Sequence, residues 1–175
     1  LGKFPEFSVN PGEKIRIVGK FESSRLNLME IFPPRKEPRP APESQAALFS
    51  NDPISVDWLQ KFDLDAALQA DDLVSRGFEA KGLSTDIAVA DGVLDISARS
   101  GEFSGGTVRM DIGLNTKTIP YDTHFGFDIK GLVLNRVPAL EDVRLPLEGA
   151  VDVQIDLSGK GVSPKEIVST ASGSL

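Results

Sequence analysis

The chain has 175 residues, enough for one ordinary domain or for a segment of a larger protein. Hydrophobic residues make up 40% of it and glycine adds another 16 residues, a composition typical of globular proteins rather than of disordered ones. Because the sequence contains no cysteine, it excludes disulfides, thiol catalysis and cysteine-based zinc sites.

The net charge of −7 is unevenly distributed along the chain. Residues 1–61 carry nine Lys/Arg and eight Asp/Glu, a net of +1, whereas residues 62–175 carry ten and eighteen, a net of −8. This acidity disfavours nucleic acid as a partner, because phosphate binding needs clustered Lys and Arg. We interpret the scattered charges as solvated strand faces. No apolar run approaches the roughly 18 residues of a membrane helix.

The N-terminal third combines one strand with a proline-rich stretch. Lys14–Phe21 alternates between two faces and predicts a strand. Residues 33–53 hold six of the twelve prolines, which remove backbone donors and predict a linker or mobile surface loop. A proline-rich ligand for a partner protein is the alternative. Residues 57–61 predict a helical turn, in which Trp58 is expected to anchor against the core.

From Phe62 onward, period-two alternation predicts six further strands. They cover, in order, Phe62–Gln69, Phe78–Ala90, Leu94–Arg99, Val108–Leu114, Thr123–Lys130 and Leu145–Ser158. Gly82 shifts the alternation by one residue, as a bulge does. The pairs Asp91-Gly92 and Gly105-Gly106 predict turns, because glycine tolerates positive φ.

Two further connections and a helix complete the predicted chain. Asn115–Pro120 predicts a turn, and Asn135–Asp142 predicts a loop or a short helical turn. Ser163, Pro164 and Glu166 form a capping-box pattern that opens a short helix through about Ser172.

These elements predict a mainly β fold. Short connections without helical crossovers indicate a long antiparallel sheet, which we expect to be curved, with one apolar face and a short C-terminal helix. A closed β-sandwich is the alternative. We divide the chain into 1–32, an N-terminal strand segment of the same β unit, 33–57, a proline-rich linker, and 58–175, an antiparallel β domain that we expect to continue beyond this segment.

The apolar rows of these strands are the candidate binding residues. Both a groove for acyl chains and a closed protein core fit such rows, and the two differ in what covers the face. The candidates are Leu94, Ile96, Val108, Met110, Ile112, Phe125, Phe127, Ile129, Val151, Val153 and Ile155.

The sequence offers little catalytic chemistry. His124 is the only histidine and falls on the polar face of a strand, and no nucleophile-elbow pattern accompanies it. Asp71-Asp72, Asp91 and Asp122 are expected in turns, where Asp bonds its own backbone, and they lack calcium-loop spacing. Gly101–Gly106 lacks the Lys and helix of a phosphate loop. We therefore predict no catalytic residue, no metal and no cofactor.

The order of the glycine-marked elements resembles the C-terminal region of the AsmA family of bacterial envelope proteins. The matching pieces are Asp91-Gly92-Val93-Leu94, Gly105-Gly106, Leu147-Glu148-Gly149 and Gly159-Lys160-Gly161-Val162-Ser163, with Gly19–Leu28 upstream. The resemblance implies a non-enzymatic periplasmic domain whose parent protein is anchored in the inner membrane outside this segment. It also implies lipid binding or transfer, or outer-membrane assembly, with phospholipid or another acyl-chain lipid and envelope proteins as partners. A structural or protein-binding β module of the envelope is the alternative.

Overall fold

The computed structural model describes residues 6–8, 14–31, 49–75, 78–136 and 149–175. Within these ranges, nine strands form one sheet in the order of the chain. They are β1 (Glu6–Ser8), β2 (Ile15–Asn27), β3 (Phe62–Ser75), β4 (Phe78–Ala90), β5 (Val93–Phe103), β6 (Gly106–Asn115), β7 (Tyr121–Val133), β8 (Ala150–Gly161) and β9 (Ser172–Ser174). The helices are α1 (Leu28–Ile31) and α2 (Pro164–Thr170), with 3-10 turns at Asp57–Gln60 and Leu134–Arg136.

The mainly β fold predicted from alternation is confirmed. The sheet is open, so the closed-sandwich alternative is wrong. None of the helices described in these ranges has the length and apolar character needed to cross a membrane.

One strand pair departs from the predicted antiparallel arrangement. Strand β2 runs parallel to β3, with Ile15 beside Phe62 and Asn27 beside Val74, whereas the other neighbours pair antiparallel. Antiparallel pairing was inferred from short connections, but residues 28–61 separate these two strands. A connection of that length allows the chain to return to the same end of the sheet, as parallel pairing requires.

The hairpin turns lie where glycine was expected, with one shift. The β4–β5 turn uses Asp91 and Gly92, and the β5–β6 turn uses Ser104 and Gly105, all four with positive φ. Gly106 is not in the turn. It begins β6 and lies against the backbone of Gly131, so a side chain there has no room.

Three boundaries also differ from the prediction. Strand β3 continues to Ser75, so Asp71 and Asp72 lie in a strand and not in a turn. Strand β8 runs to Gly161, beyond the predicted end at Ser158. Residues 145–148 of the predicted strand and residues 137–142 of the predicted loop lie outside the described ranges.

Helix α2 begins as the capping pattern predicts. The Ser163 hydroxyl accepts a hydrogen bond from the Glu166 backbone N–H at 3.3 Å. The Glu166 carboxylate accepts from the Val162 backbone N–H at 2.9 Å. The helix ends at Thr170, ahead of the predicted Ser172, because Ser172 already pairs with Ser158 in the sheet.

Buried hydrophobic residues fall in two places. Ala70, Leu73, Ala80 and Ile129 are buried within the sheet, and a cluster lies at one end of its apolar side, under residues 49–60, which we call the strap. Its side chains Val56 and Leu59 pack with Val89 to form a buried cluster. Residues 49–57 belong to the predicted linker, whose residues 33–48 lie outside the described ranges. Ile54 and Val56 of this stretch pack in the cluster, whereas residues 49–53 are exposed.

Trp58 does not anchor the core as predicted. Its side chain is 40% exposed, whereas the neighbouring Leu59 is completely buried. The 3-10 turn directs Leu59 inward and leaves Trp58 to pack against Phe62, with ring centroids 5.8 Å apart. The Trp58 indole N–H donates to the Ser55 carbonyl at 3.0 Å.

Candidate functional site

All eleven candidate side chains lie on the same face of the sheet, which we call the apolar face. Strand register aligns them in cross-strand rows, since directly paired residues point to the same side. The rows are Ile96–Ile112–Phe125, Met110–Phe127–Ile155, Val108–Ile129–Val153 and Leu94–Leu114, with Val151 beside Leu132. The alternation read from the sequence therefore assigned every candidate to one surface.

The described residues cover this face only in part. Among the eleven candidates only Ile129 is buried, and Phe125 exposes 36% of its surface. The other nine are half-buried. Side chains of a closed core are normally almost fully buried. Most of the apolar face is thus an open surface.

The open part contains a depression of about 400 Å³, which we call the groove. Its lining is almost entirely apolar and includes the candidates Val108, Met110, Phe127 and Ile129. The rings of Phe125 and Phe127 stack beside it, with centroids 6.3 Å apart. Such a surface offers contact area without hydrogen-bonding groups that recognise a polar ligand.

Further residues of the groove were not among the candidates. They are Leu73, Ala80, Leu83, Ala98, Arg99, Ser100 and Phe103. Ala80, Leu83 and Ala98 belong to alternating strands, so extending the same period-two rule to β4 and β5 finds them. Leu73 is out of phase with Leu64, Ala66 and Leu68 of β3, so the rule does not find it. Ala80 and Leu83 lie on the same face although three positions separate them, because the alternation shifts at Gly82 as predicted. Phe103 follows a register irregularity after Ser100, which hides it from a strict alternation.

The opposite face carries the charges in short ion pairs. Arg109 lies 3.0 Å from Asp111, Lys160 lies 2.8 Å from Asp122, and Arg99 lies 3.6 Å from Asp86. All these side chains are substantially exposed. Burial opposes ionisation of Asp111, but hydrogen bonds from Ser97 and Arg109 outweigh it and lower the pKa of that carboxyl. The face behaves as a solvated strand surface.

His124 lies on this polar face, as the sequence indicated. Register places it in one row with Asp95, Gly113 and Ser158, an order that superficially suits a catalytic triad. Its Nε2 atom instead lies over Gly126. No hydrogen bond in the described part of the chain joins His124 to Ser158, so the nucleophile–base contact of a triad is missing from this arrangement.

The acidic residues expected in turns have ordinary partners. The Asp91 carboxylate accepts a hydrogen bond from Lys14 Nζ at 2.7 Å, and Asp122 pairs with Lys160. Across the residues that the structure describes, no group of three His, Asp or Glu side chains is placed to hold a metal ion.

The comparison with protein families agrees with the glycine-marked order of elements. A sequence model of the AsmA family matches residues 36–175, which is 140 of the 175 residues. The upstream segment Gly19–Leu28 lies outside that range. No protein with a curated description and no solved structure matches the chain. The AsmA family is associated with the bacterial envelope. The chain therefore belongs to the AsmA family and is an envelope-associated domain.

Proposed function

We propose that this domain is a non-enzymatic, periplasmic, lipid-binding part of an inner-membrane-anchored protein, and that it holds acyl chains of phospholipids on its apolar face. Through that binding it contributes to lipid transfer or outer-membrane assembly. The observation that carries the proposal is the open groove, a continuous apolar surface of paired strands that the described protein leaves uncovered.

Exposure of such a surface is costly unless something apolar covers it. Transfer of one methylene from water to an apolar site is worth about 0.8 kcal/mol, or about a fourfold gain in affinity. Because the groove lining is nearly free of polar groups, the ligand gains its affinity from the chain and little from its headgroup. This chemistry favours acyl-chain lipids as a class over small polar ligands.

A protein-binding role is the second candidate, and one feature favours it. Strand β9 pairs only with Asp156–Ser158, so the described structure gives Ala150–Ile155 no strand on that edge. Such an edge offers backbone groups to an added strand of a partner protein. That mode uses the sheet edge and leaves the groove unoccupied.

Lipid recovery from the purified domain tests the proposal. The domain is incubated with vesicles of phosphatidylethanolamine and phosphatidylglycerol, separated from them, and analysed for bound phospholipid by mass spectrometry. The wild type is expected to retain phospholipid. Ala98→Phe is expected to lose most of it, because Ala98 lies between Thr85 and Met110 on the apolar face and a phenyl ring there fills the groove.

Ala88→Phe is the matched control. Ala88 is an exposed alanine of β4 on the opposite face, beside Asp65 and Asp95, so the same substitution adds equal bulk without entering the groove. Equal lipid retention by the two variants, or none by the wild type, would contradict lipid binding in the groove. Unchanged unfolding curves for both variants establish that each remains folded.

A further inference from the structure

We infer that the strap closes the groove at one end, so that a bound acyl chain lies with its terminal methyl toward the strap and its headgroup at the opposite end. This inference rests on the proposed acyl binding and adds an orientation to it. It makes the groove a one-ended cleft instead of a channel that runs through this part of the sheet.

The strap spans the sheet from β3 to the residues beyond β8. At one side, the Ile54 backbone N–H donates to the Val162 carbonyl at 2.8 Å, and the Lys165 N–H donates to the Ser50 carbonyl at 3.0 Å. At the other side, the strap leads directly into β3 through the turn at Asp57–Gln60. The strap is thus fixed at both margins of the face.

Between these margins, the cluster that the strap forms with Val89 extends across five strands. It includes side chains of β3, β4, β5, β6 and β7, namely Leu64, Val89, Leu94, Leu114 and Tyr121. Helix α2 covers the end of β8, where Gly159 and Gly161 lie against backbone and Cβ atoms of residues 166 and 167. No strand from β3 to β8 is left uncovered at this end.

The covered end is unsuited to a headgroup. Its centre consists of Val56, Leu59 and Val89, which are buried and apolar. The nearby buried hydroxyl of Thr116 already donates to the Gly92 carbonyl at 2.7 Å. Burying a phosphate or carboxylate among such groups, without a free partner, costs far more than an acyl terminus does.

The opposite end is suited to a charged group. There the groove ends near Ala80 and Phe103, which pair across β4 and β5. The adjoining residues Lys81 and Glu102 point to the opposite face of the same strands. They expose about half or more of their side chains and lie 3.9 Å apart, so water reaches this margin of the sheet. A headgroup at this end stays hydrated while its chain follows the strands inward.

Trp58 provides an intrinsic reporter, since it is the only tryptophan and lies in the strap. The probes are two stearic acids, one with a nitroxide quencher near the carboxylate and one with it near the terminal methyl. With each bound to the intact 175-residue chain, the methyl-end probe is expected to quench Trp58 fluorescence several-fold more than the carboxylate-end probe.

A second protein moves the reporter to the other end. Trp58→Phe combined with Phe103→Trp leaves one tryptophan at the open end, and the order of the two probes is expected to invert. Equal quenching by both probes, or the same order at both reporters, would overturn the orientation while leaving acyl binding intact. If recovered protein carries neither probe and neither reporter is quenched, the proposed function fails and the orientation fails with it.

Discussion

The two ends of the apolar face have the same sheet beneath them and differ only in what lies on top. At the covered end, Leu94 and Leu114 pack against the buried cluster that the strap forms with Val89. At the open end, Met110 and Phe127 continue the same alternation but line an uncovered groove. Strand patterning thus specifies an apolar face, whereas a separate, non-periodic segment decides which part of that face becomes core.

This contrast predicts different energetic roles for similar side chains. Buried residues under the strap stabilise the fold, because their truncation leaves a cavity. The half-buried groove residues, such as Met110 and Phe127, contribute less to folding, since solvent already reaches them, and their apolar surface remains available for a ligand.

The largest expected effect comes from truncating one buried side chain of the strap. Leu59→Ala is expected to lower the free energy of unfolding by about 3 kcal/mol, within the usual range for a fully buried leucine. Met110→Ala, in the groove, is expected to cost about 1 kcal/mol or less, because its side chain is only half-buried. Urea denaturation followed by circular dichroism measures both.

If Leu59→Ala and Met110→Ala lower the free energy of unfolding equally, the covered and open ends do not differ in their contribution to stability. Unchanged m-values in the two unfolding curves are needed to assign the difference to the folded state. A Met110→Ala protein that unfolds as easily as Leu59→Ala would mean that the groove residues are core after all.

A smaller effect is expected where α2 lies on β8. A Cβ atom at Gly161 would lie 2.6 Å from both the Glu166 Cβ and the Ile167 backbone nitrogen, so Gly161→Ala forces the helix away from the strand. We expect a loss of about 1–3 kcal/mol, the usual cost of overpacking.

Gly113→Ala is the matched control for Gly161→Ala, because Gly113 lies in the middle of the sheet. A Cβ atom there meets Asp95 and His124 at 3.6 Å, which is ordinary contact. The substitution is expected to leave stability unchanged or to raise it slightly, because alanine loses less backbone entropy on folding than glycine. Thermal unfolding of the two variants distinguishes two explanations. A loss confined to Gly161→Ala comes from the close packing of α2 on β8, whereas a loss in both variants means that strand glycines in general do not tolerate a side chain.

The smallest effect concerns the ion pairs at the margin of the covered end. The hydrogen bond from Lys160 lowers the pKa of Asp122, and the hydrogen bond from Lys14 lowers the pKa of Asp91. A carboxyl whose folded pKa lies below its unfolded value of about 3.9 stabilises the protein above that pH. The contribution is lost as the pH falls through the folded pKa. Asp122→Asn is therefore expected to lower the melting temperature slightly at pH 7 and to leave it unchanged at pH 2.

The period-two alternation of the strands predicted most of the fold and most of the candidate surface. In β5 to β8 the alternation is long and regular, so it identified both the strands and the residues on each face. The alternation did not identify Phe103, because an irregular register after Ser100 interrupts the period. It also could not reveal the parallel pairing of β2 and β3, since the partner of a strand depends on long-range return of the chain.

The helical turn predicted at residues 57–61 is confirmed, but the packing of the strap on the sheet was missed, for a different reason. Ile54, Val56 and Leu59 stand in a short, irregular stretch after many prolines, and nothing in their spacing predicts what they contact. A 3-10 turn of four residues decided that Leu59, and not Trp58, points inward. Such choices depend on tertiary packing, which local sequence pattern does not encode.

Lipid binding on the apolar face is tested most directly by photo-crosslinking with a phospholipid that carries a diazirine on one acyl chain. Neighbouring residues of a strand point to opposite faces, so adducts mapped by mass spectrometry report the face that the chain occupies. Adducts are expected at Met110 and Ile112 of β6 and not at Arg109 or Asp111, and Ala98→Phe is expected to remove most of them. Adducts spread equally over both faces, or unaffected by Ala98→Phe, would contradict lipid binding in the groove.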